Sequence, residues 1–447
     1  MVWAGICTFG LFDHAAFNCN YCDCNCYVYE KIYATGVEGV NGKQRVNMKK
    51  ILVIIGTYLP GYKAGGPVLS IANLIDYLGD EYEFRVLTTC CDLNETVPYP
   101  DIALEDWNTV GKAKVFYTAA LSKALIARVA RGMDVVYVCG CFNAYGRYAL
   151  SLKRDGKIDG RLIVASMGLF SDGAFRIKYA KKKLYMLLTN LLGLYRGIEW
   201  SASTEEEAAN ISKHVWGRIH YHIAKDLPRQ VQLRSVEKPD IDKELKVVFL
   251  SRISRKKNLS YALKLLQNLL DVKVHFSIVG VMEDEQYWQE CQELIRTLPS
   301  NVTCEYKGAI ASPDVVRELE GYHVFLLPTL GENYGHVIQE ALSAGCVALI
   351  SDQTPWQDLE ESGVGASIPL DQPQRFVDWL RHYAAMDSAA FQKLSGGAIR
   401  YAYDHSDLEQ LAQKYREMFG ESNMVDQRFD TKMMENAEYC EPNQGRI

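Results

Sequence analysis

The chain has 447 residues, 48% hydrophobic and 23% charged, with a net charge of −6. That is the composition of a soluble globular protein, and the length suffices for two domains with separate cores. Residues 1–47 hold four acidic and three basic groups and residues 421–447 six and three, leaving only −2 for 48–420, so no global charge points to nucleic acid. The longest nearly apolar run, 184–194, has 11 residues and includes Thr189 and Asn190. It falls short of the roughly 20 that cross a bilayer, so no integral membrane segment is expected.

In chain order, the first feature is a cysteine cluster, with five of 13 cysteines in the first 26 residues and CNYCDCNC at 19–26. The cluster could bind zinc or form a disulfide knot. The simplest reading is that residues 1–47 are an extension upstream of Met48, with no structural role. The other cysteines lie mostly in apolar strand-like contexts (Cys139, Cys304, Cys346), which fits a reducing, cytoplasmic compartment. From Lys49 short β-branched runs alternate with amphipathic segments. Strands are expected at 49–55, 84–90, 113–119, 135–140, 161–166 and 198–203, and a helix at 68–78 after the loop GTYLPGYKAGGP. Residues 224–245, with two prolines and no sustained period, read as a linker. The alternation restarts with strands at 246–251, 275–280, 302–308, 323–328 and 346–351, and with helices near 258–270, 285–298, 312–320 and 335–344. A last helix covers 406–418. Serial strand–helix alternation predicts an α/β protein with two tandem Rossmann-like, doubly wound domains. The boundaries are 48–224 for the first domain, 225–245 for the linker, 246–405 for the second domain and 406–420 for the final helix. The polar segment 421–447 is expected to be a disordered tail. Ligands of such sheets bind beyond the strands' carboxyl ends, which places the site in the inter-domain cleft.

Three constellations point at that cleft. In PTLGENYGHVIQEALSAG (328–345), a helix is expected to start at Gly335, with Val337, Ile338, Ala341 and Leu342 facing the sheet and His336 and Glu340 sharing another face. Free N–H groups and the macrodipole at such a start attract a phosphate. Glu332 lies just outside that anion site and Glu340 one turn inside, where it could accept from a polyol such as a ribose. The bland alternative is one loop charge and one solvated helical charge. In FLSRISRKKNL (249–259), Arg252 and Lys257 follow a strand and could neutralise a diphosphate, with Arg255 and Lys256 completing a basic cluster. Gly65 and Gly66 before a helix, and Gly280 closing SIVG, permit close backbone approach to a ligand, although a structural turn explains Gly280 equally well. The spacing is not GxGxxG, which disfavours a dehydrogenase, and no Walker A lysine motif is present either.

Arg252 with Lys257, followed by Glu332 and Glu340 inside GENYGHVIQEAL, resembles glycosyltransferase family 4, retaining enzymes of GT-B fold. The resemblance spans roughly residues 48–420. It implies that Glu332 contacts the donor sugar near the reacting centre, Glu340 binds the nucleotide ribose, and Arg252 and Lys257 hold the diphosphate. It further implies that Asn333, Tyr334, Gly335 and His336 line the donor pocket, that the Gly65–Gly66 loop closes over the donor, and that no metal cofactor is needed. One departure stands out. Many relatives have a histidine after the first domain's middle strand, where this chain has Met167. Asp172 in the same turn is a candidate acceptor-side substitute or a helix cap. Downstream, 175–197 carries Arg176, Lys178 and Lys181–Lys183 ahead of an apolar helix. That helix would suit either an anionic membrane surface or an ordinary core. The expectation is a cytoplasmic, peripherally membrane-associated enzyme moving a hexose-type sugar from a nucleotide diphosphate sugar to a glycan or lipid-linked acceptor in surface polysaccharide synthesis. The rival is a catalytically inactive GT-B protein that binds a nucleotide sugar or a partner subunit.

Overall fold

The computed structural model describes residues 48–170, 175, 179–311 and 314–420. The expectations for the cysteine-rich segment 1–47, for Asp172 and for the tail 421–447 lie outside the described residues.

The first domain contains β1 (Lys50–Ile54), α1 (Gly66–Leu78), β2 (Glu83–Thr89), β3 (Trp107–Val110), β4 (Ala113–Thr118), α2 (Lys123–Val129) and β5 (Val135–Cys139). It continues with α3 (Ala144–Arg154), β6 (Arg161–Ala165), α4 (Tyr179–Leu191), β7 (Glu199–Ala202), α5 (Glu205–His214) and β8 (His220–Ile223). Its sheet runs β3-β4-β2-β1-β5-β6-β7-β8, parallel except for the β3–β4 pair. The near-continuous apolar run of β1 is explained by two-sided burial: Leu52 and Ile54 enter one core cluster, and Ile51, Val53 and Ile55 the other.

The second domain contains β9 (Leu245–Leu250), α6 (Leu259–Gln267), β10 (Val274–Val279), α7 (Glu285–Arg296), β11 (Val302–Gly308) and α8 (Val315–Leu319). β12 (Val324–Leu327), α9 (His336–Ser343), β13 (Val347–Ser351), β14 (Gly365–Ile368), α10 (Pro373–Ala384) and α11 (Ser388–Asp404) follow. This sheet is wholly parallel, in the order β11-β10-β9-β12-β13-β14.

Two connections join the halves. Residues between β8 and β9 cross without regular structure, with Leu227 in the first core and Val231 and Ile241 in the second. Lys238 anchors this crossing on the second domain by donating to Ala344 O at 3.0 Å and Glu320 O at 3.2 Å, and burial holds its pKa below the lysine range. The chain then returns. α12 (Leu408–Phe419) packs Leu408, Ala412, Tyr415, Met418 and Phe419 into the first domain's core, where the Phe419 ring meets Tyr82, Phe84 and Tyr137 edge-on.

Candidate functional site

In each sheet the strand order reverses beside the first strand, at β1 in one domain and between β9 and β12 in the other. Connections there leave in opposite directions and open a crevice beyond the carboxyl ends. The two crevices face each other across one cleft of about 280 Å³. The residues assigned to the donor site in the sequence line it: Arg252, Lys257, Glu332, Glu340, Gly66, Gly280, Asn333, Tyr334, Gly335 and His336.

Arg252 and Lys257 reach the cleft from the end of β9. Lys257 is pinned in a short turn by its own N–H to Ser254 O at 3.0 Å. The preceding carbonyl, Lys256 O, accepts from Leu330 N at 2.8 Å and Thr329 Oγ1 at 3.1 Å, which fastens this turn to the loop after β12. That stitching sets Lys257 Nζ directly on the Glu332 carboxylate, both side chains only about a tenth exposed. Glu332 N donates in turn to Gln353 O at 2.9 Å. The carboxylate beside the anion pocket is therefore neutralised in place by a cation. Arg252 pairs with Glu283 at 3.0 Å, a partner that sequence reading did not single out. Arg255 turns away from the cleft to Glu290 (2.5 and 2.9 Å), so the basic cluster divides between the cleft and the outer surface.

α9 starts at the cleft. Gly335 caps it at φ 82°, and Tyr334 O accepts from Trp356 Nε1 at 2.7 Å, which holds the turn against the core. His336 is buried, with Nε2 3.0 Å from Ser70 Oγ on α1 of the other domain, and burial lowers its pKa to about 4. It is thus neutral at physiological pH. Glu340 is buried too, and burial raises it to about 7 against the opposing charge of Arg229. Gly280 adopts φ 146°, and a Cβ there would stand 1.9 Å from Ser251 O. Close passage of β9 past β10 thus demands glycine whatever a ligand requires. A Cβ on Gly66 would meet nothing within 4 Å, while one on Gly65, at φ 69°, would lie 3.9 Å from Arg252 Nε.

The opposite wall includes Met167, whose φ of 51° is left-handed. Glu207, reaching back from α5, holds this turn by accepting from Ser166 Oγ at 2.5 Å and Gly168 N at 2.6 Å. The same carboxylate accepts from Ser203 Oγ at 2.7 Å, and Ser203 Oγ lies 2.7 Å from Asn333 Oδ1. Asn333 Nδ2 donates to Asp226 at 3.3 Å. Burial lifts Asp226 to about 6, with Glu207 adding repulsion. Sequence reading missed Ser70, Ser203, Glu207 and Asp226: Ser203 directly follows β7, whereas Ser70 and Glu207 lie inside α1 and α5 and Asp226 in the crossing after β8, without a local motif. Among the described residues no cluster of three or more His, Cys, Asp or Glu side chains is arranged to hold a metal ion.

Two facing Rossmann-like domains with a cationic, helix-headed cleft define the GT-B fold. Residues 232–389, essentially the second domain, match the family Glycosyl transferases group 1. Solved structures share the architecture across the chain. HepE from Anabaena, crystallised with UDP and glucose, is 14% identical, covers 83% of this chain and 99% of its own, and superposes with a TM-score of 0.58. Sucrose-phosphate synthase from Thermosynechococcus elongatus is 14% identical with the same coverage and a TM-score of 0.61. WaaG, a glycosyltransferase involved in lipopolysaccharide biosynthesis, is 14% identical over 83% of this chain and all of its own, with a TM-score of 0.56. No curated protein matches the chain.

Proposed function

We propose that this protein is a retaining glycosyltransferase that moves a hexose-type residue from a nucleotide diphosphate sugar to a glycan or lipid-linked acceptor. The observation that carries the reading is the meeting of Arg252, Lys257, Glu332 and the start of α9 in one inter-domain cleft. The diphosphate takes the place of carboxylate partners on Arg252 and Lys257, while backbone N–H groups at Gly335 and His336 receive a phosphate oxygen. Glu332, released from Lys257, turns to the sugar, and Glu340 accepts from the ribose hydroxyls. The C1–oxygen bond to the β-phosphate breaks as the acceptor oxygen bonds C1 on the same face. The acceptor's proton passes to the departing phosphate oxygen. Two cations and a helix dipole stabilise that leaving group, so no metal cofactor is assigned, and chelation should leave turnover unchanged. The setting assigned is the cytoplasm or the inner face of the membrane, with surface polysaccharide as product. No helix among the described residues is long and apolar enough to cross a membrane.

The experiment is a panel of nucleotide sugars scored by thermal stabilisation, then by nucleotide diphosphate release with acceptors and by the anomeric configuration of the product. A donor at about 100 times its Kd adds about 2.7 kcal/mol of stability. A panel without a stabilising member overturns the donor site, and an inverted product overturns retention. Stabilisation without turnover across acceptors favours a binding-only protein, the reading that Met167 supports because a thioether neither takes nor donates a proton.

A further inference from the structure

The water-facing side of α4 has an unusual composition. Leu184, Leu187, Leu188, Leu191 and Leu192 recur at the 3–4 spacing of one helical face, and each is between 43% and 66% exposed. The buried side is a narrow one: Met186 and Thr189 point inward, with Thr189 Oγ1 2.9 Å from Tyr195 Oη. A solvated helix places polar residues outward, and this one places leucines there. A second exposed apolar group lies beside the helix. Asn190 donates to His214 O at 2.8 Å and accepts from Trp216 N at 2.9 Å, which fixes Trp216 beside α4 with its side chain 59% exposed. The rim is cationic. Lys181, Lys183 and Arg196 are exposed, and from Phe175 to Ile198 the sequence contains no Asp or Glu. Lys182 is turned aside over the Phe142 and Phe175 rings and is not part of that rim.

We propose that the leucine stripe of α4 with Trp216 is a docking face for an anionic lipid bilayer, the helix lying in the plane of the interface. Apolar side chains would enter the acyl boundary, the indole would sit at headgroup depth, and the lysines and arginine would meet lipid phosphates. Charge selects this occupant over a second copy of the chain. A two-fold contact through the stripe would bring two cationic rims together without an acidic partner in the segment. Tyr185 of α4 donates to Cys141 O at 2.7 Å, just past the carboxyl end of β5, so docking sets the first-domain side of the cleft toward the bilayer. The proposal deepens the transfer reading by specifying where a lipid-linked acceptor is met, and it rests on that reading only for this purpose.

The test is flotation with vesicles of phosphatidylcholine alone and of phosphatidylcholine with phosphatidylglycerol, at low and high salt. The protein should float with the anionic vesicles, bind neutral ones weakly, and lose binding as salt rises. Leu187→Asp with Leu191→Asp should lower the bound fraction by about tenfold or more. Its melting temperature and its donor turnover with a water-soluble acceptor should be unchanged. Lys181→Glu with Lys183→Glu should remove most of the preference for anionic vesicles. Absence of vesicle binding, equal binding by the aspartate variant, or a wild-type dimer that the aspartates split into monomers would each overturn the proposal. Vesicle binding by a protein that binds no nucleotide sugar would leave the docking face standing and the transfer reading refuted.

Discussion

Glu332 and Lys257 neutralise each other in a nearly buried position, so the acid is oriented in the ligand-free protein; under the proposed function it loses that partner when a donor diphosphate binds the lysine. Glu332→Gln keeps the shape and removes the charge. Turnover should fall by about 10²–10³, with little change in donor affinity, because the charge matters most as positive character develops at the sugar. Equal turnover in steady-state assays would remove Glu332 from the reacting centre. Glu340 poses a different question, since burial holds its carboxyl near 7 in the free protein. Under the proposed function, ribose hydroxyls donating to it would favour the ionised form, so binding would release a proton. Donor affinity should therefore rise with pH below about 7, by up to about tenfold per unit, and level off above it, which calorimetry across pH 5–8 would reveal. The stability sign is opposite. A folded pKa above the ordinary 4.5 means stability that is full below 4.5 and lost as pH climbs through about 7. Glu340→Gln should consequently raise the ligand-free melting temperature at pH 8 and not at pH 4, while flattening the pH dependence of binding.

At the scale of elements, the start of α9 concentrates the constraint. Gly335 combines a φ of 82° with a Cβ position 2.8 Å from Ile338 Cδ1. Gly335→Ala should cost about 1–2 kcal/mol, read by denaturant unfolding, and should weaken nucleotide binding in the same titration series. This helix start was legible because its evidence is local: a strand, a glycine, then apolar residues at the core spacing with two carboxylates off that face. Arg252 and Lys257 were legible for the same reason, each lying just past a strand end. β3, β8 and β14 were not read. They are four-residue strands at or next to sheet edges, too short for a period to show. The Ser70–His336 and Ser203–Asn333 contacts were beyond reach, since they join residues 266 and 130 positions apart, and neither serine carries a pattern. The amphipathic period of α12 announced a helix. That its apolar face covers the first domain is a property of the tertiary path alone.

For the molecule as a whole, those two contacts, with Asn333 on Asp226, make a polar clamp across the cleft floor. Polar inter-domain contacts of this sort favour hinge motion over a fixed interface. Asn333→Ala removes the hydrogen bond to Asp226 and the contact with Ser203, and should shift the population toward an open form. Small-angle scattering should show a larger radius of gyration without nucleotide and recovery toward the wild-type value with saturating donor. An unchanged radius in both states would show that the clamp does not govern opening.

The return of α12 also bears on how the chain is made. A ribosome finishes β8 long before it reaches Leu408, and the residues that α12 covers, Phe84 and Tyr137 among them, face water through the synthesis of the entire second domain. The domain begun first is the one completed last. A release or cleavage before residue 408 would therefore leave the second domain with its own core beside a first domain exposing an aromatic seam, a species prone to aggregate and open to capture by chaperones.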